Sequence, residues 1–264
     1  LNQQWSTVSD NGLTRPVVLA VDFDATGRRE ATFYDLVQLF PGPLTVWLSA
    51  QPPKGYDESL SPDEYLAWWA GDSLGASVRV GAVLGYCAGS LFASALADEI
   101  ERRQAFRPRV VLFNPGKPNA TTLNRDFDGT IRSMALLTSE ERSAFLEKAR
   151  IRLDAPFASF DDACEVVLDL YGQASRVTFS RAGIDLDVGE ELLGVFRSYA
   201  SYLRAAHQVE YRPEWAEAAA VLSREHPGEP AFTRTHIRSE VGREHLLGDP
   251  GVARTAFRLI ESEA

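Results

Sequence analysis

A single thiol stands where an apolar run gives way to an amphipathic one. Cys87 is the centre of Gly85-Tyr86-Cys87-Ala88-Gly89, with the apolar stretch 78–84 before it and helical spacing over 87–103 after it. In a Gly-x-nucleophile-x-Gly turn the central residue is strained, and the small residues two places either side let strand and helix approach closely. The side chain is then presented at the carboxyl edge of the sheet, where open α/β sheets bind ligands. Cysteine in that position suits covalent acyl transfer. The helix N-terminus favours thiolate over thiol, and the amide of Ala88 can donate to a developing oxyanion. The competing reading is an inert turn whose cysteine packs as a small hydrophobe.

An acyl-transferring thiol needs a histidine to move protons to leaving group and acceptor. Of four histidines, His245, in Val-Gly-Arg-Glu-His-Leu-Leu just before the final helix, is the expected base. His226, after the last strand, is the reserve; His236 reads as structural and His207 as solvent-facing on a helix. Asn114 directly follows the apolar run 110–113, at the sheet edge beside the cysteine strand. Its carbonyl oxygen can accept an imidazole N–H, which makes a Cys87-His245-Asn114 arrangement workable. The alternatives are that Asn114 only opens the Asn-Pro-Gly turn and that Glu225 is the orienting acid. The second oxyanion donor is placed at the amide of Ala25, in the loop after the first strand, with Gly27 permitting the turn. Asp22 and Asp24 make that loop acidic; they either point outward or face a cationic substrate group.

The elements that must position these groups alternate. Residues 15–24 form an apolar run without alternation, the pattern of a strand buried on both faces. Helical spacing follows at 30–40 through Phe33, Leu36, Val37 and Phe40, then a strand at 44–48. Ser61-Pro62-Asp63-Glu64 gives a helix at 57–71 its opening turn. Strands at 78–84 and 110–113 flank the 87–103 helix. Such alternation predicts an α/β fold, a doubly wound and mostly parallel sheet. From 116 to 212 the pattern is helical, at 138–151 with a capping box at Thr138, at 159–171 and at 190–206. A weak strand signal lies at 176–179. The strand pattern returns at 216–222, and 252–261 is an amphipathic terminal helix. The chain therefore divides into a core of 1–115 and 213–264 and a helical insertion, a lid or subdomain, at 116–212.

With 264 residues, 45% of them apolar, the chain can bury a sizeable core. A net charge of −10 with scattered Lys and Arg argues against nucleic-acid binding. No apolar stretch approaches transmembrane length and no signal pattern opens the chain, so a cytoplasmic protein without a membrane partner is expected. Cys87 and Cys164 are far apart, and no Cys-x-x-Cys or His/Cys cluster suggests a metal or cofactor. The chain begins at Leu1 and its single methionine is Met134, which reads as processing or excision from a longer protein.

Together these segments resemble the thioesterase domains that end non-ribosomal peptide and polyketide assembly lines, relatives of the α/β-hydrolases. Residues 17–36 are similar to that family's opening strand, oxyanion loop and helix, and 61–73 to the helix before the nucleophile strand. Residues 85–101 resemble its elbow, 109–118 the strand ending in the catalytic aspartate, and 241–253 the loop bearing the catalytic histidine. The resemblance implies an α/β-hydrolase fold with a lid over the acyl chain. It also implies a substrate held as a thioester on the phosphopantetheine arm of an acyl or peptidyl carrier protein. Four departures stand out: Cys87 replaces serine, Asn114 replaces aspartate, Ser90 replaces the second glycine after the elbow, and the oxyanion loop with Asp22 and Asp24 is unusually acidic. Serine to cysteine paired with aspartate to asparagine is what a papain-like triad requires. Thioester-to-thioester transfer is nearly isoenergetic, so the acyl group stays activated for hydrolysis or for cyclisation or transfer to an amine or hydroxyl. The rival is a non-catalytic thioesterase-like protein that binds a carrier-bound intermediate or a partner enzyme. An esterase for small free esters is the weaker enzyme alternative.

Overall fold

The computed structural model describes residues 3–13, 15–24, 30–53, 60–71, 74, 78–154 and 159–262. Its strands are β1 (Trp5–Ser9), β2 (Val17–Val21), β3 (Val46–Ser49), β4 (Val80–Tyr86), β5 (Arg109–Phe113), β6 (Ala219–Leu222) and β7 (Thr235–Arg238). They form one sheet in the order β1-β3-β2-β4-β5-β6-β7. Only β1 is antiparallel to its neighbour. From β2 the chain moves to β3 on one side and later to β4 on the other. The winding therefore reverses between β2 and β4, and their carboxyl ends open the crevice where such sheets bind ligands.

The continuous apolar run of β2 is explained by burial on both faces. Val17, Leu19 and Val21 enter one core and Val18 and Ala20 the other, with the period of two that strands impose. The first core is completed by α2 (Pro62–Trp69) and α3 (Gly89–Gln104), through Tyr65, Trp69 and Phe92. The second is completed by α1 (Phe33–Gln38) and α8 (Pro250–Glu261), through Phe33, Leu36, Val252 and Ala256. Local signals set the starts of two of these helices. Ser61 caps α2 reciprocally with Glu64, with Pro62 in the first turn, and Thr32 does the same for α1 with Asp35.

Among the described residues, four helices lie between β5 and β6: α4 (Ala120–Ser133), α5 (Ser139–Asp154), α6 (Phe160–Ala182) and α7 (Leu186–Gln208). Thr138 opens α5 by the expected capping box with Glu141. None of the helices among the described residues is long and apolar enough to cross a membrane.

Several elements differ from the sequence reading. The strand signal at 176–179 lies inside α6. Val177 packs on the core there and the Thr178 hydroxyl donates to the Ser175 carbonyl at 2.9 Å. The intrinsic cost of a β-branched residue in a helix is a fraction of a kcal/mol, about 0.7 at most, and burial of the helix face outweighs it. Strand β6 begins at Ala219 rather than 216, because Pro213–Glu217 form a 3₁₀ turn that buries Trp215. Helix α4 and strand β1 were absent from the sequence reading. β1 is an edge strand with only Trp5 buried, so it has no apolar alternation to display.

Candidate active site

The elbow at Cys87 is built by close packing. Cys87 adopts a positive φ of 50°, a left-handed conformation uncommon for a residue with a Cβ. Its amide donates to the Phe113 carbonyl at 2.9 Å and its carbonyl accepts from the Ser90 amide at 3.1 Å. Both glycines are required by space. A Cβ on Gly89 would lie 2.3 Å from the Val21 carbonyl oxygen, and one on Gly85 would lie 2.6 Å from the Ser90 Cα. Ser90, where a second glycine was expected by resemblance, is fully buried, and its hydroxyl donates to the Gly85 carbonyl at 3.1 Å. Ala88 precedes the first residue of α3, and first-turn amides have no intrahelical acceptor.

Cys87 opens into a cavity of about 670 Å³. Its floor is the switch point, with Asp22, Phe23 and Ala88, and its roof comes from α4 and α7, with Gly129, Tyr199 and Leu203. His245 and Glu225 also line it, so the structure gathers Cys87, Ala88, His245 and Glu225 around one space.

At the sulfur itself the neighbours are guanidinium groups. Arg243 Nη2 donates to Cys87 Sγ at 3.3 Å, and Arg125 Nη2 reaches it from α4 at 3.9 Å. Each arginine is held by a carboxylate, and each carboxylate by a phenol. Arg243 Nε donates to Glu30 Oε1 at 2.8 Å, and Tyr86 donates to Glu30 Oε2 at 2.6 Å. Arg125 Nε donates to Asp126 Oδ1 at 2.9 Å, and Tyr199 donates to Asp126 Oδ2. Burial drives both phenols well above their ordinary range, which keeps them as donors. Burial alone would lower Arg243, but Cys87, Tyr86 and Glu30 around it outweigh that and carry it upward.

The other expected site residues are placed as follows. His245 sits in the 3₁₀ turn Arg243–Gly248, between the cavity and the buried Leu246 and Leu247; its ring is exposed and, among the described residues, makes no hydrogen bond. Asn114 is 2% exposed, with φ 46°; its side-chain oxygen accepts from the Ser223 amide at 2.8 Å. Among the described residues no hydrogen bond joins it to His245. Glu225 is exposed, and its carboxylate accepts from the Arg243 backbone amide at 3.0 Å and from Arg224 at 2.8 Å. Its pKa is lowered, first by a backbone amide and then by Arg224. Ala25 and Gly27 lie outside the described residues. Asp22 is 4% exposed, lines the cavity and accepts from the Phe23 amide at 2.8 Å, so it does not point outward.

His226 has Nδ1 2.6 Å from the Gly228 carbonyl oxygen and Nε2 3.2 Å from that of Pro115. His236, on β7, lies 3.0 Å from the Thr233 hydroxyl and 3.2 Å from Glu229, a structural setting. His207 is a correction. It is half-buried rather than solvent-facing, stacked on Phe160 at 4.3 Å with Nδ1 2.8 Å from the Pro118 carbonyl oxygen.

No protein-family model matches the chain and no relative is found among curated proteins. The structure is nevertheless similar to solved ones along nearly its whole length. One is the Vlm2 thioesterase domain with genetically encoded 2,3-diaminopropionic acid, bound with a dodecadepsipeptide. It is 15% identical, with 98% of this chain and 96% of that one covered and a TM-score of 0.52. Another is the enol-lactonase from Burkholderia xenovorans LB400, 16% identical, with 97% and 95% covered and a TM-score of 0.50. The chain has the α/β-hydrolase fold. Within an α/β-hydrolase, a residue at positive φ between a central parallel strand and the helix after it occupies the nucleophile elbow. In this chain the residue at that turn is Cys87.

Arg243, Arg125, Glu30 and Asp126 were not anticipated. Helix α4 was legible in Leu123, Phe127 and Ile131, spaced by four and all buried. Arg243 stands two residues before His245. The second thiol is chemically separate. Cys164 is fully buried in α6, and burial pushes it up to about 12. Native protein treated with iodoacetamide near pH 8 should therefore carry label on Cys87 and none on Cys164. Peptide mapping checks this; equal labelling would contradict the packing around α6.

Proposed function

We propose that this protein is a cysteine-dependent thioesterase, acting on an acyl or peptidyl chain carried as a thioester on the phosphopantetheine of a carrier protein. The observation that carries the proposal is Cys87 at a strained elbow, opening into a roofed cavity whose size suits an organic acyl chain. The likeness to the Vlm2 thioesterase domain supports the choice of reaction class. Cys87 Sγ attacks the thioester carbonyl, and the amide of Ala88, with that of Ala25 as the second donor, holds the oxyanion. The thiol proton passes to the departing sulfur as the old C–S bond breaks. His245, on the cavity wall, then takes the proton of the acceptor as it attacks acyl-Cys87. That acceptor is water, or an amine or hydroxyl of the chain itself. Helices α4 and α7 act as the lid, and the insertion 116–212 is the lid subdomain.

Incubation with an acyl N-acetylcysteamine thioester should add the acyl mass, less one hydrogen, to the intact wild-type protein. Cys87→Ala should show no such addition. An adduct absent from the wild type, or equally present in the variant, would remove the nucleophile. One observation favours the second reading, a non-catalytic thioesterase-like binder: among the described residues no imidazole touches the sulfur. That reading expects carrier binding with no adduct, so the same measurement separates the two.

A further inference from the structure

We infer that Arg243 is itself a catalytic residue, its guanidinium stabilising the oxyanion that forms on the carbon bonded to Cys87. This rests on the acyl-transfer reading above. When Sγ attacks, the new C–S bond places the oxyanion two bonds from the sulfur. Its negative charge comes from the carbonyl π pair. Collapse returns that pair to the carbonyl and expels the leaving thiolate, which takes the proton given up by Cys87. Donors to an oxyanion work at roughly 2.7–3.1 Å from it, and Nη2, 3.3 Å from Sγ, lies beside the atom to which the reacting carbon becomes bonded.

Three features set this arginine apart from a surface ion pair. It is held on several sides by residues distant in sequence: Glu30 on Nε, the Tyr86 ring 5.5 Å beneath the guanidinium, and Glu225 on its backbone amide. Its side chain is only 20% exposed, as is that of Glu30, so its charge is less screened than at the surface. With Nε on Glu30, the Nη2 donor is directed at the sulfur. A guanidinium donates and does not accept, so Arg243 supplies charge and hydrogen bonds and takes no proton. Arg125 also reaches the sulfur, held by Asp126, which Tyr199 holds in turn. Glu30 and Tyr86 are positioning residues acting through Arg243.

The test reads the charge at the sulfur without requiring turnover. Cys87 is alkylated in parallel with iodoacetate, an anion, and iodoacetamide, a neutral analogue, in the full-length protein at low salt. The ratio of the two rates reports the local field. Arg243→Gln should lower that ratio about tenfold, the scale of one unit charge about 4 Å away at a dielectric not far below that of water. Arg243→Lys, which keeps the charge and loses the fork, should retain most of it. Arg132→Gln, on the cavity wall but bridged to Asp128, should leave it within about twofold, as a more distant, screened charge would. Circular dichroism establishes that each variant is folded, and Arg243→Lys serves if the glutamine variant is not. The prediction for acyl transfer is a fall in the rate of adduct formation in Arg243→Gln, partly restored in Arg243→Lys. An unchanged ratio in Arg243→Gln, or an equal fall in Arg132→Gln, would overturn the role of Arg243 while leaving Cys87 as nucleophile. Wild-type Cys87 inert to both reagents would overturn the nucleophile and this inference together.

Discussion

Replacing Cys87 with serine should slow acyl transfer at least about 100-fold, although it changes one atom. A serine hydroxyl is a useful nucleophile only when a base takes its proton, a contribution of about 10²–10⁴ in rate. Among the described residues, the groups that donate to the side chain here are Arg243 and Arg125, both obligate donors. His245 lines the cavity but its ring makes no hydrogen bond to the elbow among the described residues. A thiol tolerates that arrangement because it ionises far more readily than an alcohol. The measurement is the single-turnover rate of adduct formation with one acyl thioester, compared between wild type and Cys87→Ser. Equal rates and identical products would mean that a base does reach the elbow, and the argument for a thiol would fall.

Gly89→Ala should be the most damaging single methyl group in the core. Its Cβ would lie 2.3 Å from the Val21 carbonyl oxygen and 2.9 Å from the Tyr202 hydroxyl, and the first of these is backbone that cannot swing aside. Relief requires α3 to move away from β2, which would open the crevice and shift Cys87. Overpacking of this kind costs about 1–3 kcal/mol and sometimes more, and each kcal/mol lowers Tm by roughly 2–4 °C at this chain length. A Tm fall of about 6 °C or more, by differential scanning calorimetry, is expected. Gly116→Ala is the control. Nothing lies within 4 Å of its added methyl, so it should be neutral or slightly stabilising through the unfolded chain. Similar Tm values for the two variants would mean that the elbow is not packed as described.

Both expectations rest on parts of the molecule with different legibility. Strand β2 could be read directly, since burial on both faces leaves an unbroken apolar run. The capped starts of α2 and α5 were equally plain, because a capping box is a contact over three residues. Helix α4, which carries Arg125, shows only Leu123, Phe127 and Ile131 as an apolar face in an otherwise polar segment. The segment 176–179 misled because β-branched residues favour strands, whereas α6 is held by burial of Cys164, Val167, Leu170 and Ala174 along one face. Strand β1, at the sheet edge, had no pattern to offer.

The sequence by itself determined that a thiol would sit in a tight strand-to-helix turn. Gly85, Cys87 and Gly89 act within five residues, and the steric demand for small neighbours is local. What it left undecided was which side chain meets the sulfur. Arg243 and His245 are two residues apart in one 3₁₀ turn, and with three residues per turn they project in different directions. The choice is made by the seating of that turn. Glu30, 213 positions away, takes the Arg243 side chain, and Glu225 takes its backbone amide. Asn114 shows the same dependence, for its oxygen is engaged by Ser223, 109 positions along the chain. Contacts of that range exist only once the sheet has brought β4, β5 and β6 side by side, so no local pattern carries them.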